Sequence, residues 1–234
     1  KKIFNFLSLK ENYQIEYSTE PKIDGISASL TYKKGILIAG LSRGDGIEGE
    51  DITENIKTIK DIPKQIKSND FPNEIDIRGE VFISKNDFKK INEKFANARN
   101  AASGSLRQKN PEETKKIPLK FIAYTFGHID KNNIKTQSDF LFSLKSWGFK
   151  TSQYNKTIKG TKNLVLQHKK FEEKRYSFDY DIDGLVYKVN KFELQKRLGF
   201  VANAPRWAVA HKFSANSSIS KILKIDIQVG RTGA

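Results

Sequence analysis

Apolar side chains recur along this chain with two periods, and the changes between them mark out its elements. Ile26, Ala28, Leu30 and Tyr32 fall on alternate positions, which places them on one face of a strand because successive side chains in extended backbone point to opposite sides. Lys33-Lys34-Gly35 then predicts a tight turn into a second strand over 36–41. Alternation or short apolar runs predict further strands over 13–17, 75–83, 119–126, 183–189, 207–213 and 222–229. The helical period predicts a helix over 85–95, with Phe88, Ile91 and Phe95 on one face behind a Ser84 cap, and others over 137–147, 164–176 and 192–198. Asp51 or Thr53 caps a short helix to residue 59. The small-residue run that starts at Asn97 reads as helical through Leu106, suited to close packing under a ligand. Strands in hairpin order with helices between them predict an α+β fold with antiparallel sheets, not a doubly wound parallel sheet.

Chemistry gathers on a few of these elements. In Glu20-Pro21-Lys22-Ile23-Asp24-Gly25, extended backbone puts Lys22 and Asp24 on one face. A lysine attacks only as the neutral amine, so a reactive one needs special surroundings. Taken alone, the pattern also describes a hairpin turn bearing a surface lysine. Lys188 and Lys212 each interrupt an apolar strand. With Lys22 they predict three ammonium groups reaching one cleft, where mutual repulsion primes a nucleophile and the same charges clamp a phosphate. Glu80 and Asp183 offer carboxylates for a ribose hydroxyl or a hydrated Mg²⁺. The plainer alternatives are lysines snorkelling at sheet edges and a surface ion pair between Arg78 and Glu80.

Composition narrows the classes. Lys and Arg number 42 against 27 Asp and Glu, a formal +15, which favours nucleic acid or another polyanion as partner. Part of the excess reflects a lysine-rich, asparagine-rich and isoleucine-rich background. The chain has no cysteine, so it holds neither a disulfide nor a thiolate zinc site. No apolar run approaches the roughly 20 residues that span a bilayer, and the first residues do not read as a signal peptide; no membrane partner is expected. With no methionine, even at position 1, the chain is expected to be part of a longer protein.

Six motifs occur in order: Glu-Pro-Lys-Ile-Asp-Gly from residue 20; Ser-Arg-Gly-Asp-Gly with Gly-Glu-Asp from 42; Ile-Arg-Gly-Glu-Val-Phe from 77; Phe-Ala-Asn-Ala-Arg-Asn-Ala-Ala-Ser-Gly-Ser-Leu-Arg-Gln from 95; Asp-Ile-Asp-Gly-Leu-Val-Tyr-Lys from 181; and Ala-Pro-Arg-Trp-Ala-Val-Ala-His-Lys-Phe from 204. The set resembles the adenylation domain of bacterial NAD⁺-dependent DNA ligases over about residues 13 to 229. The first and fifth motifs belong to the wider nucleotidyltransferase superfamily, whereas the fourth and sixth are more specific to the NAD⁺ type.

The resemblance implies a nucleotidyltransferase fold, with antiparallel sheets flanked by helices around a nucleotide cleft. Residues 1–12 are then a linker or the end of a preceding domain, 13–221 the adenylation domain, and 222–234 its last strand and the start of an OB domain. It implies that Lys22 takes AMP from NAD⁺ and releases nicotinamide mononucleotide, with Asp24 and Asp183 orienting the lysine or a Mg²⁺ ion. Glu20 would bond the adenine amine and Tyr124 stack on its ring. Arg43 and Glu80 would hold the ribose, and Lys188 and Lys212 the phosphate. Arg99, Arg107 and Arg175 would engage nicked double-stranded DNA. The family's zinc site has no counterpart in a chain without cysteine. A cytoplasmic, nucleoid-associated monomer is implied, which binds adenosine nucleotides yet does not seal nicks by itself. The competing readings are an ATP-dependent ligase or capping-type enzyme, a non-catalytic basic nucleic-acid-binding module, and a magnesium nuclease built on Glu80, Asp181 and Asp183.

Overall fold

The computed structural model describes residues 2–10, 13–42, 49–130, 133–202, 204–214 and 219–227. Helix α1 (Lys2–Leu7) precedes strand β1 (Glu16–Ile23) and the hairpin of β2 (Ile26–Lys33) and β3 (Ile36–Ser42). The hairpin turn takes Lys34 and Gly35 into the left-handed region, the geometry that matches the twist of paired strands. Next come α2 (Thr53–Ile56), β4 (Glu74–Phe82), α3 (Lys85–Phe88), α4 (Ala98–Leu106), α5 (Pro111–Lys115) and β5 (Lys120–Ile129). The second half runs α6 (Gln137–Ser146), β6 (Lys156–Lys159), α7 (Thr161–Lys174), β7 (Ile182–Val189), α8 (Phe192–Leu198), β8 (Phe200–Val201), β9 (Ala204–Pro205) and β10 (Ala208–Lys212).

Two four-stranded sheets result, ordered β10-β7-β1-β6 and β3-β2-β4-β5. Their pairings are antiparallel throughout, as the order of predicted strands requires. Consecutive strands β1 and β2 lie in different sheets, so Asp24 and Gly25 carry the chain across from one to the other; the stretch is not a hairpin turn. The Asp24 N–H donates to the Asp181 carbonyl at 2.8 Å. Gly25 is needed for room: a Cβ there would lie 2.4 Å from the Val81 carbonyl oxygen. Pro21 sits in β1 beyond the reach of β6, which pairs only with Glu16 to Thr19, so the missing N–H falls where the strand has one neighbour.

Each sheet buries one face. Leu30, Tyr32, Ile75, Ile77 and Phe121 pack with Ile56, Ala101, Ala102, Phe140 and Leu144 from the helices beside the second sheet. Tyr17, Ile23, Leu185 and Val189 pack with Leu7, Leu164, Phe171 and Leu198 beside the first. Phe82 and Ile122, although on strands of the second sheet, join the core of the first. The remaining faces, which carry Ser18, Glu20, Lys22 and Lys188 on one sheet and Ser27, Glu80 and Tyr124 on the other, enclose a cleft.

Several elements depart from the expectations. The strand expected over 13–17 runs instead from Glu16 to Ile23, set by its pairing with β7. The helix expected over 85–95 stops after Phe88, and a 3₁₀ turn covers Asn92–Lys94; Asn86, Asp87 and Asn92 are weak helix formers. The Ser84 cap forms, accepting from the Asp87 N–H. Residues 222–227 make no strand, and Ile222, Leu223, Ile225 and Ile227 are exposed; residues 228 and 229 lie outside the described residues. Strand β6 and helix α5 were not anticipated. No helix among the described residues is long and apolar enough to cross a membrane.

Replacing Gly25 with alanine forces its Cβ against a backbone carbonyl of β4. Gly25→Ala is expected to lower unfolding stability by about 1–3 kcal/mol, the range for overpacking a tight site, read as a lower urea midpoint at unchanged slope.

Candidate functional site

The cleft holds a cavity of about 740 Å³, lined by Glu20 and Lys22 of β1, Ser27 of β2, Glu80 of β4, Tyr124 of β5, Arg99 of α4 and Arg107 just past its end, and Lys188 of β7. This is within the size range of small-molecule sites. Its floor is a buried polar network. Glu20 is 4% exposed and Lys188 5%, and Lys188 Nζ donates to Glu20 Oε2 at 2.7 Å and to the Tyr124 carbonyl at 2.8 Å. Glu20 Oε1 accepts from Ser18 Oγ and from Gln137 Nε2, both at 3.0 Å. A buried ion pair offsets its lost hydration only when further hydrogen bonds satisfy it, and these contacts do so. Lys188 Nζ also lies 5.2 Å from the centre of the Tyr124 ring.

Two β-bulges aim the side chains. Arg78 and Gly79 on β4 face Thr125 and Ala123 on β5, which leaves Tyr124 as the extra residue. Its carbonyl, outside that ladder, accepts from both Lys188 and Gln137, the latter at 2.7 Å. On β7, Ile182 faces Ile23 and Gly184 faces Lys22, so Asp183 is the extra residue there. The inserted residue re-aims its side chain, and Asp183 Oδ2 meets Lys22 Nζ at 2.7 Å. Asp183 Oδ1 is buried without a hydrogen-bond partner.

Around the mouth, arginines meet carboxylates. Arg99 Nη1 lies 2.7 Å from Asp24 Oδ1, and Arg107 Nε lies 2.8 Å from Glu50 Oε2. Asp24 therefore engages Arg99, while Asp183 is the partner of Lys22. Glu80 Oε2 accepts from Ser27 Oγ at 3.0 Å, and Ser27 Oγ lies 3.2 Å from Tyr124 Oη. Burial pushes the Glu80 carboxyl up from an ordinary 4.5 to about 7, opposed by the Ser27 hydroxyl and the Lys22 and Arg99 charges.

The three lysines do not converge on one point. Lys188 sits with Glu20 at the floor, four residues along β7 from the row Lys22–Gly184–Lys212, a spacing of roughly 13 Å. Lys212 shares a face with Lys22 across Gly184, but it lines a second, smaller pocket of about 370 Å³ with Arg175, Tyr176, Asp181 and Asp183. The close approach of β10 requires Gly184, where a Cβ would lie 2.3 Å from the His211 carbonyl. Arg175 donates to Tyr176 Oη and to the Ser214 carbonyl. Arg43 lies outside the described residues. Among the described residues no group of three or more His, Cys, Asp or Glu is placed to hold a metal. Gln137, Ser18 and Ser27 were missed in the sequence. The signal available was Gln137 in the apolar stripe with Phe140, Leu141 and Leu144, all buried on one face of α6.

Between pH 4.5 and 7 the folded chain keeps a proton that the unfolded chain has lost, so the contribution of Glu80 to stability falls as pH rises through that window. Glu80→Gln removes this pH-dependent contribution. The melting temperature of the variant relative to the parent chain is expected to rise between pH 5 and pH 8; a difference that stays constant with pH would show that Glu80 ionises normally.

Comparison with known proteins bears on what this cleft belongs to. The family described as NAD-dependent DNA ligase adenylation domain matches residues 1–216. All 234 residues align with a DNA ligase of Pelagibacter ubique at 71% identity, covering 35% of that protein. The full chain also aligns with DNA ligases of Bartonella tribocorum at 47% and Parvibaculum lavamentivorans at 46%, covering 34% of each. The chain thus spans about a third of the length of these curated relatives. A solved structure named Pmar-Lig_Pre. overlays with a TM-score of 0.47 and 14% identity, covering 76% of this chain and 39% of that one. The chain belongs to the NAD-dependent DNA ligase adenylation domain family and has its nucleotidyltransferase fold.

Proposed function

We propose that this chain transfers an adenylyl group from NAD⁺ to Lys22 and from there to the 5′-phosphate of a nick in duplex DNA. The observation that carries the reading is the placement of Lys22. It stands at the wall of a cleft whose floor offers an aromatic ring and a buried carboxylate, and its amine touches a second carboxylate at 2.7 Å. Asp183 is placed to take the proton that the ammonium must lose. The neutral nitrogen then attacks the α-phosphorus, the bond to the nicotinamide mononucleotide phosphate breaks, and AMP remains on Lys22 as a phosphoramidate.

The remaining residues sort by position. Tyr124 stacks on adenine and Glu20 accepts from its exocyclic amine, while Glu80 faces the ribose. Lys188 lies at the Glu20 end, so its role shifts from the phosphate to support of the base site; Lys212, in the row of Lys22, is the cation for the phosphate. Mg²⁺ commonly retains several waters and takes one or two carboxylates besides substrate phosphates. The unpaired Asp183 Oδ1 suits that limited share, and a bound ion would neutralise charge building on the transferred phosphate. Arg99 and Arg107 exchange Asp24 and Glu50 for DNA phosphates. Exposed ion pairs of that kind contribute under about 1 kcal/mol, so the exchange is easy, and the +15 charge adds salt-sensitive attraction.

Incubation with NAD⁺ and Mg²⁺ followed by intact-mass measurement is expected to show one AMP added, lost on hydroxylamine treatment. Lys22→Arg is expected to abolish it, because arginine stays protonated. An adenylate that persists in the variant would refute Lys22 as nucleophile. Tyr124→Ala is expected to weaken AMP binding by about 1–3 kcal/mol, the value of a base–aromatic stack, measured by calorimetry.

A further inference from the structure

Gln137 belongs to none of the six motifs, yet it sits at the centre of the polar floor. It is the first residue of α6, follows the Thr136 cap, and is 1% exposed. Its Nε2 donates to Glu20 Oε1 at 3.0 Å and to the Tyr124 carbonyl at 2.7 Å. Both partners can only accept, which settles the orientation of the amide: the flipped form would set oxygen against oxygen twice. Its Oε1 is left buried without a hydrogen-bond partner. A buried unpaired carbonyl is destabilising, so an apolar residue of similar shape would serve the α6 stripe better. Something other than packing holds a glutamine at this position.

We propose that Gln137 is a positioning residue that makes the site selective for a 6-amino purine over a 6-oxo purine. The inference rests on the reading of the cleft as an adenylyl-transfer site. A carboxylate offers about four acceptor positions. Ser18 and Gln137 take both on Glu20 Oε1, and Lys188 takes one on Oε2. One acceptor position remains, on Oε2, for one incoming N–H. The exocyclic amine of adenine supplies such a donor, whereas the 6-oxo group of hypoxanthine brings a lone pair against the carboxylate. The second amide hydrogen fixes the backbone of Tyr124 at the bulge, so the acceptor and the stacking ring are set relative to one another. Without Gln137, Oε1 regains a free position, the carboxylate can rotate, and the distinction between the two bases weakens.

The test uses Gln137→Leu, which keeps the volume and loses both donors, and Gln137→Glu, which keeps the shape and replaces the donor with a carboxylate. AMP and IMP are the probes, titrated by calorimetry against parent and variants, with melting temperatures recorded alongside. In Gln137→Leu the AMP affinity is expected to fall about tenfold, the scale of one positioned hydrogen bond. The AMP-to-IMP ratio is expected to fall with it, and the melting temperature to hold or rise. Gln137→Glu is expected to lower the same ratio, so the proposal remains open to refutation if the leucine variant does not fold. An unchanged ratio in the folded variants, whether or not the melting temperature drops, overturns the proposal and leaves Gln137 as packing. Lys22 adenylation of the parent chain is measured separately. Its absence would remove the adenylyl-transfer reading, while the AMP-to-IMP ratio would still decide what Gln137 does.

Discussion

The arrangement of this molecule depends on how closely the chain passes β4 as it leaves one sheet for the other. At Asp24 and Gly25 the backbone has no space for a side chain against Val81, and the Asp24 amide is tied to Asp181. That crossing holds the end of β1 beside the start of β2. It fixes the distance between a face carrying Glu20 and Lys22 and a face carrying Ser27 and Glu80. A sheet with one buried face ordinarily gives its other face to water; here the two free faces meet and form a cleft.

Within that cleft two inserted residues place the side chains that regular pleating would send elsewhere. Without the bulge on β7, alternation from Gly184, Val186 and Lys188 would turn Asp183 to the opposite face. Without the bulge on β5, the Tyr124 carbonyl would belong to the β4 ladder and would not be free to accept from Lys188 and Gln137. The first bulge pairs a carboxylate with Lys22 at the open end. The second bridges the two sheets at the closed end, where strands β1, β5 and β7 share one hydrogen-bonded network.

Much of this was legible in the residues. Alternation located β2, β3, β4 and β7, helix periodicity located α6 and α8, and the motif residues Glu20, Lys22, Glu80 and Lys188 line one cavity together with Tyr124 of β5. The bulges were not legible, because a period of two carries no mark of an inserted residue until a partner strand is known. For the same reason the lysines were expected to converge, whereas the register sets Lys188 apart from Lys22. Strand β6 escaped notice because four residues with a lysine at each end read as surface, and such short, charged strands are common at sheet edges. Helix α5 had its signals, Asn110 as cap and Pro111 at the first turn, but it is too short for its period to show. Residues 222–227 show the converse: apolar side chains in a strand-like pattern form no strand when nothing among the described residues covers them.

The two sheets differ in the lengths of chain that they close, and this sets an order in time. Strands β2, β3 and β4 join near neighbours, whereas the pairs Lys22–Asp183 and Glu20–Lys188 span 161 and 168 residues. Closing longer loops takes more entropy, and distant strand pairings form more slowly than local ones. On a ribosome adding about 5–20 residues per second, Asp183 follows Lys22 by on the order of ten seconds. Through that interval the half of the cleft that carries Glu80 and Tyr124 can take shape, while Lys22 still has no carboxylate beside it. The lysine gains its partner only once the chain has been made through Asp183, so a chain stopped short of that residue presents half a cleft and a lysine not yet held in place.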